Sequence, residues 1–243
     1  MRVDDFILLG TTVPEPSRTD NRVFVCSAGY SPELRRMLRI YPLSRKNPPK
    51  RWNKYSIELE VNKKDQRFES YKIAGDRGEV VHEDINSRFQ LVGRATKDDE
   101  QYLADKFTIN SIKQANEERL SLGIIYPKYS PVLVFDENQE AEDHPQARLF
   151  DDRLPQDGAR RFPFAPKLRF DIDDGAHCLS VRDWGCYEYM RKNPYSHEKL
   201  ALNLDKNPPL LIGNMNSRRN SWLIISVLPV RLKKELDLFS DAI

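Results

Sequence analysis

The sequence predicts an α+β fold: a curved, mainly antiparallel sheet or open β-barrel with a central helical insertion. Three observations carry that expectation. In residues 52–61, Tyr55, Ile57, Leu59 and Val61 alternate with Lys54, Ser56, Glu58 and Glu60, the period-2 pattern of a half-buried strand. Towards the other end, Leu210, Leu211 and Ile212 are separated by GNMNSRRNS from Trp222, Leu223, Ile224, Ile225, Val227 and Leu228, and two such apolar runs read as a buried hairpin. Between them, apolar residues recur at helical spacing. The 243 residues suit one large domain. It subdivides into a basic β-rich part (1–78), the helical insertion (79–136), an acidic loop (137–166) and a C-terminal hairpin and helix part (167–243).

Taken in order, residues 3–12 hold FILLG behind two acids, and residues 23–28 read VFVCSA. Each predicts a strand, and the prolines of TVPEPSRTDN mark the loop between them. Ser31, Pro32 and Glu33 predict a short helix through Arg36, followed by a strand over 38–43 that Pro42 and RKNPPKR bring to an end. After the strand at 52–61, the turn NKKDQR leads into FESYKIA, which closes another hairpin. Val81, Ile85, Phe89 and Val92, spaced by four, four and three, predict a helix over 80–92. Tyr102, Leu103, Phe107, Ile109, Ile112 and Leu120 extend helix through 98–120, and Gly123 stops it.

GIIYPKYSPVLVFDEN then gives two short strands about a proline-bearing turn. Residues 167–172 and 177–181 pair about Asp173, Asp174 and Gly175, since Asp-Gly between apolar runs is a hairpin cue. Asp183 caps a helix over 184–192, where Trp184, Tyr187 and Met190 share a face and Pro194 ends the run. Residues 196–204 add a further turn or two, and RLKKELDLF forms a short helix or a frayed end. The architectural analogies are PUA-like and OB-like barrels, and no family motif is specific enough to name.

Composition narrows the class. Charged residues make up 31% and apolar residues 39%, the balance of a soluble folded protein. No apolar run approaches the roughly 18 residues that span a bilayer. The start, MRVDDFILLG, has acids where a signal peptide needs cations, so the expectation is a cytoplasmic protein of prokaryotic style. Cys26, Cys178 and Cys186 are too few and odd in number for a disulfide framework.

Net charge is only +2, but its distribution is uneven. Residues 35–72 carry twelve cations against four acids, a local +8, whereas residues 136–157 carry eight acids against two cations, a local −6. Local field of this kind steers an anionic partner. The basic stretch holds Arg35, Arg36, Arg39, Arg45, Lys46, Lys50, Arg51 and Lys54, interleaved with Tyr41, Trp52 and Tyr55. Cations neutralise phosphates and aromatics stack on bases. The hairpin loop adds Asn214, Asn216, Arg218, Arg219 and Asn220 as donors to phosphate or base edges.

The predicted function is therefore binding of DNA or RNA by an accessory protein. One competing expectation is a metal-dependent nuclease or phosphodiesterase using Asp171, Asp173, Asp174 or Asp183. Another is a protein-interaction subunit or homodimer with complementary charged regions. Two further groups bear on chemistry. His177, Cys178 and Cys186 lack zinc-ligand spacing, and His177 and Cys178, adjacent on a strand, face opposite ways. Asp65, Arg67, Glu69 and Tyr71, spaced by two, share one strand face as an ion-paired surface or a pocket lining. No Gly-rich phosphate loop, GxGxxG or GxSxG is present, which argues against an ordinary ATPase, dehydrogenase or hydrolase; no cofactor is expected, and a metal only on the competing nuclease reading.

Overall fold

The computed structural model describes residues 1–16, 23–44, 46–75, 85–137, 162, 164–193 and 204–229. The described residues are mostly β, 52% strand, with few helices. It begins with β1 (Arg2–Thr11), the short β2 (Glu15–Pro16), β3 (Val23–Ser31), β4 (Arg36–Ser44), β5 (Asn53–Val61) and β6 (Ser70–Ile73). β1 pairs with β3 and β5, β3 with β4, and β5 with β6, all antiparallel; β4 and β6 run parallel. The pairings close a ring, β1-β3-β4-β6-β5-β1. That is a closed five-stranded barrel in the strand order of an OB-type Greek-key fold.

Closure depends on β1 serving two neighbours. Its register shifts between Leu8 and Gly10 against β3 and between Val3 and Phe6 against β5. Such bulges bend a strand enough to turn a barrel corner. Phe6, Leu8, Val25, Leu38, Ile40, Ile57, Leu59 and Ile73 fill the barrel, each at most 2% exposed.

The other edge of β5 also carries β7 (Gln90–Arg94). Then come α1 (Lys97–Lys106), α2 (Ile112–Glu117), β8 (Leu122–Ile125), β9 (Val132–Glu137), β10 (Phe164–Ile172), β11 (Gly175–Ser180), α3 (Trp184–Lys192), β12 (Leu210–Met215) and β13 (Arg218–Val227). β13, β12 and β8 form one antiparallel sheet and β11, β10 and β9 another. Ile124, Leu211 and Ile225 of the first sheet pack on Ile7, Leu9, Ala28, Tyr30 and Met37, the outward side chains of β1, β3 and β4. Their neighbours Ile125, Leu210 and Ile224 turn the other way, onto Leu168, Phe170 and Ile172 of β10. A sheet buried on both faces explains why these runs are continuously apolar rather than alternating.

Several expectations change. The barrel is closed, not open. Residues 85–88 form a 3-10 turn and 90–94 a strand where helical spacing predicted a helix, because the exposed half of β5 offers Gln90–Arg94 a ladder. Among the described residues, α-helix in the middle of the chain is limited to α1 and α2, so the central helical insertion is not clearly present. Ser31 to Arg36 is a tight turn with Arg35 at φ 52°, since β3 and β4 pair up to Ser31 and Arg36 and leave no room for a helix. Of the acidic loop expected over 137–166, residues 138–161 and 163 lie outside the described residues, while Glu137 ends β9 and 164–166 begin β10; residues 196–203 of the turn expected over 196–204, and RLKKELDLF, also lie outside them. The strand pair at Asp173 and Asp174 and the Asp183-capped helix stand where they were expected.

Candidate nucleic-acid interface

The hairpin loop is tighter than its sequence suggested. β12 runs to Met215 and β13 starts at Arg218, so only Asn216 and Ser217 turn. Asn214 is a buried strand residue: its Nδ2 donates to Leu120 O at 3.2 Å and its N to Ser121 O at 3.0 Å. It leaves the list of residues able to contact a ligand. Asn220 stays exposed on β13.

The tip meets the loop that joins β5 to β6, residues 62–69. Asn216 Nδ2 donates to Lys64 O at 3.3 Å, and Arg67 Nη1 donates to Asn214 O at 2.5 Å. Arg67 also forks onto Asp65, with Nε 2.9 and 3.0 Å from its two oxygens and Nη2 closing the pair. Ser70 Oγ donates to the same carboxylate at 2.8 Å. A bidentate guanidinium-carboxylate pair fixes direction as well as distance. The loop is a latched structure. Burial by itself would raise the Asp65 pKa, but the bonds from Arg67 and Ser70 outweigh it and hold the carboxyl below its ordinary value.

Beneath the latch lies a buried polar cluster. Arg39 is 4% exposed, with Nη2 donating to Ser121 O at 2.9 Å and Nη1 to Cys26 Sγ at 3.8 Å. It was expected on the basic face. Instead it points outward from β4 into the seam with β8 and β12, where the C-terminal sheet covers it. Glu69, 2% exposed, has neither carboxylate oxygen hydrogen-bonded. Burial raises its pKa, and the nearby charges of Arg39 and Arg67 offset only part of the rise.

Because the native state holds the Glu69 proton more tightly than the unfolded chain, stability falls as pH rises from the unfolded to the folded value, and the full penalty persists above it. Asp65 acts in the opposite sense, losing its contribution only as pH falls through its lowered folded value. Glu69→Gln keeps a polar group but removes the titrating carboxyl, so it is expected to raise stability at neutral pH and to lose the pH dependence that burial gives Glu69. Denaturant midpoints from mildly acidic to neutral pH should diverge between the two proteins. Parallel curves would contradict it.

Around the latched loop the surface is both apolar and cationic. Nine large hydrophobic side chains are exposed among the described residues, and four of them lie here: Tyr41 (38%), Val61 (62%), Phe68 (65%) and Met215 (40%). Asn62 Nδ2 donates to Tyr41 O at 3.3 Å, Val61 enters the loop, and Met215 precedes the tip. Lys63, Lys64, Arg218 and Arg219 flank them with no ion-pair partner among the described residues. The acids nearby are engaged elsewhere: Asp65 by Arg67, and Glu60 by Lys72 at 2.8 Å. The rim thus carries four uncompensated positive charges.

The basic stretch around β4 is dispersed by comparison. Arg35 and Arg36 stand at one end of β4, and Lys46 and Lys50 beyond the other, roughly 25 Å away at strand rise. Arg36 lies over the Tyr71 ring at 5.3 Å. Arg51 pairs with Asp183 at 2.7 Å, and Lys54 with Asp99 at 3.1 Å. Trp52, at φ 63°, is pinned by its N bonding to Leu8 O and its O accepting from Ala95 N, and it packs towards the core. Arg45 lies outside the described residues. Lys63, Lys64 and Phe68 were missed as site residues because NKKDQR read as an ordinary turn; two adjacent lysines just ahead of an aromatic were the available signal.

The carboxylates proposed for metal chemistry do not converge. Asp183 caps α3 and pairs with Arg51, Asp173 pairs with Lys128, and Asp174 accepts from Ser111 Oγ and Lys113 N while contacting His177 Nε2 at 2.8 Å. Among the described residues no three His, Cys, Asp or Glu side chains gather closely enough to hold a metal ion. No described helix is long and apolar enough to cross a membrane.

A family model described as a domain of unknown function (DUF8758) matches residues 3–96. The match spans the barrel, its 62–69 loop and β7, and it leaves out the hairpin that completes the rim. No curated protein and no solved structure matches the chain significantly.

Proposed function

We propose that the chain binds nucleic acid at the rim where the 62–69 loop meets the β12–β13 turn. The observation that carries this reading is the pairing of four uncompensated cations, Lys63, Lys64, Arg218 and Arg219, with exposed Phe68, Met215, Val61 and Tyr41. Phosphates draw on the cations and bases on the apolar groups. A neutral sugar would make no use of the charge. By analogy of fold alone, OB-type barrels also bind through the face of their second and third strands and the loop between their fourth and fifth. Here that face is covered by the C-terminal sheet and the loop remains open, so the hairpin tip replaces the covered half. The proposal assigns binding and no reaction.

Fluorescence anisotropy with labelled DNA and RNA tests it. Lys63→Gln/Lys64→Gln/Arg218→Gln/Arg219→Gln is expected to lose about tenfold or more in affinity at moderate salt. Unchanged affinity would remove the rim from the interface. A protein-partner reading has one observation of its own: among the described residues β7 pairs only with β5 and exposes Leu91 and Val92, and such edges accept an added strand.

A further inference from the structure

We infer that the nucleic acid taken at this rim is single-stranded, with a base stacked on Phe68; the inference rests on the binding function proposed above. Arg67 is 8% exposed and tied to Asp65 and Asn214, and Glu69 is 2% exposed beneath the loop. Ser70 N bonds to Arg67 O at 3.0 Å, so Phe68 and Glu69 are the central residues of a β-turn, and with Arg67 and Glu69 both anchored on its inner side the turn displays Phe68, 65% exposed. Phe68 therefore cannot turn in to bury its ring without breaking the Arg67 latch. The fold holds an aromatic face in water.

An exposed ring held in this way suits a partner that offers a flat face. Bases of a duplex are stacked on one another and show only edges in the grooves, whereas a single strand presents free faces to aromatic platforms. Lys63 and Lys64 share the loop with Phe68, and Arg218 and Arg219 open β13 just after the Asn216–Ser217 turn that bonds to Lys64, so cations for the phosphates stand on both segments of the rim. A patch of this extent fits a few nucleotides, near the lower end of site sizes for single-strand binders.

The test is anisotropy of labelled oligo-dT, oligo-U and a blunt DNA hairpin duplex, each with wild-type protein, Phe68→Ala, Phe68→Trp and the four-glutamine variant. Phe68 is 65% exposed, so its variants are expected to keep the fold, which circular dichroism verifies. Single strands are expected to bind about tenfold or more tightly than the duplex, and Phe68→Ala to lose about 5- to 150-fold, the range for one stacked base. Phe68→Trp should retain affinity, with emission quenched on binding. The dT and U arms show which sugar is preferred. If the duplex binds as well as the strands, or Phe68→Ala binds like wild type while the four-glutamine variant does not, the single-strand inference fails and the rim stands. If wild type binds none of the probes, both fall together.

Discussion

Gly29→Ala is expected to keep the barrel from closing, or to cost more than roughly 3 kcal/mol if a folded population survives, at the upper end for overpacking a tight core. A Cβ at this position would sit 2.1 Å from Ile7 O and 2.7 Å from two ring atoms of Phe6. Neither can retreat. Gly29 lies between β1 and β4, opposite Leu8 on one side and Leu38 on the other, so the backbone is hydrogen-bonded into ladders at both edges. Phe6 is fully buried at the centre of the barrel, with its ring 6.2 Å from that of Phe89. A five-stranded barrel has a narrow interior, and here one bulky ring occupies the volume that a glycine vacates on the facing strand. Gly93→Ala serves as the control, since nothing lies within 4 Å of its added Cβ and the change should stay within about 0.5 kcal/mol. Soluble yield and denaturant midpoints check both. A wild-type midpoint for Gly29→Ala would mean that the β1–β3 register is wrong.

Asp183→Ala is expected to destabilise by about 3 kcal/mol, combining a lost helix cap with a broken, largely buried ion pair. Asp183 Oδ1 accepts from Gly185 N at the start of α3 and from Arg51 Nη2, both at 2.7 Å, and its side chain is 5% exposed. Arg51 Nη1 reaches on to Ser226 Oγ at 2.8 Å, so one guanidinium ties the β4–β5 connection of the barrel to α3 and β13. Removing the carboxylate leaves that guanidinium with one partner in the seam. Asp183→Asn keeps a capping oxygen and should lose about half as much. Urea denaturation of the two variants checks the order. Equal stability of wild type and Asp183→Ala would show that the seam does not depend on this contact.

The strands were legible where burial is one-sided or complete. The alternation in 52–61 and the apolar runs at 210–212 and 222–228 marked β5, β12 and β13, because period and composition report burial directly. Parallel pairing of β4 with β6 was not legible, since nothing in a sequence records which distant strand a ladder joins. The stretch at 85–92 misled for a related reason: Leu91 and Val92 are apolar but exposed, and spacing alone cannot separate an apolar surface strand from a helix face. Of the candidate site, the hairpin tip was visible through Asn216, Arg218 and Arg219. Its partner loop was not. Arg39 and Arg51 read as surface cations because arginine usually is one, and only the packing of a second sheet on the barrel reveals them as seam residues. Asp65, Arg67 and Glu69 were grouped by their spacing of two, yet what they do, holding Phe68 outward and docking the hairpin, depends on Asn214 arriving from 147 residues away.

The rim as a nucleic-acid interface is tested most directly by the salt dependence of single-strand binding, measured in parallel on wild-type protein and the four-glutamine variant at positions 63, 64, 218 and 219. Four phosphate contacts on a single strand predict a slope of about −3 for log affinity against log salt, and removal of all four cations should bring the slope close to zero. The same slope in both proteins would place the phosphates elsewhere and contradict binding at the rim.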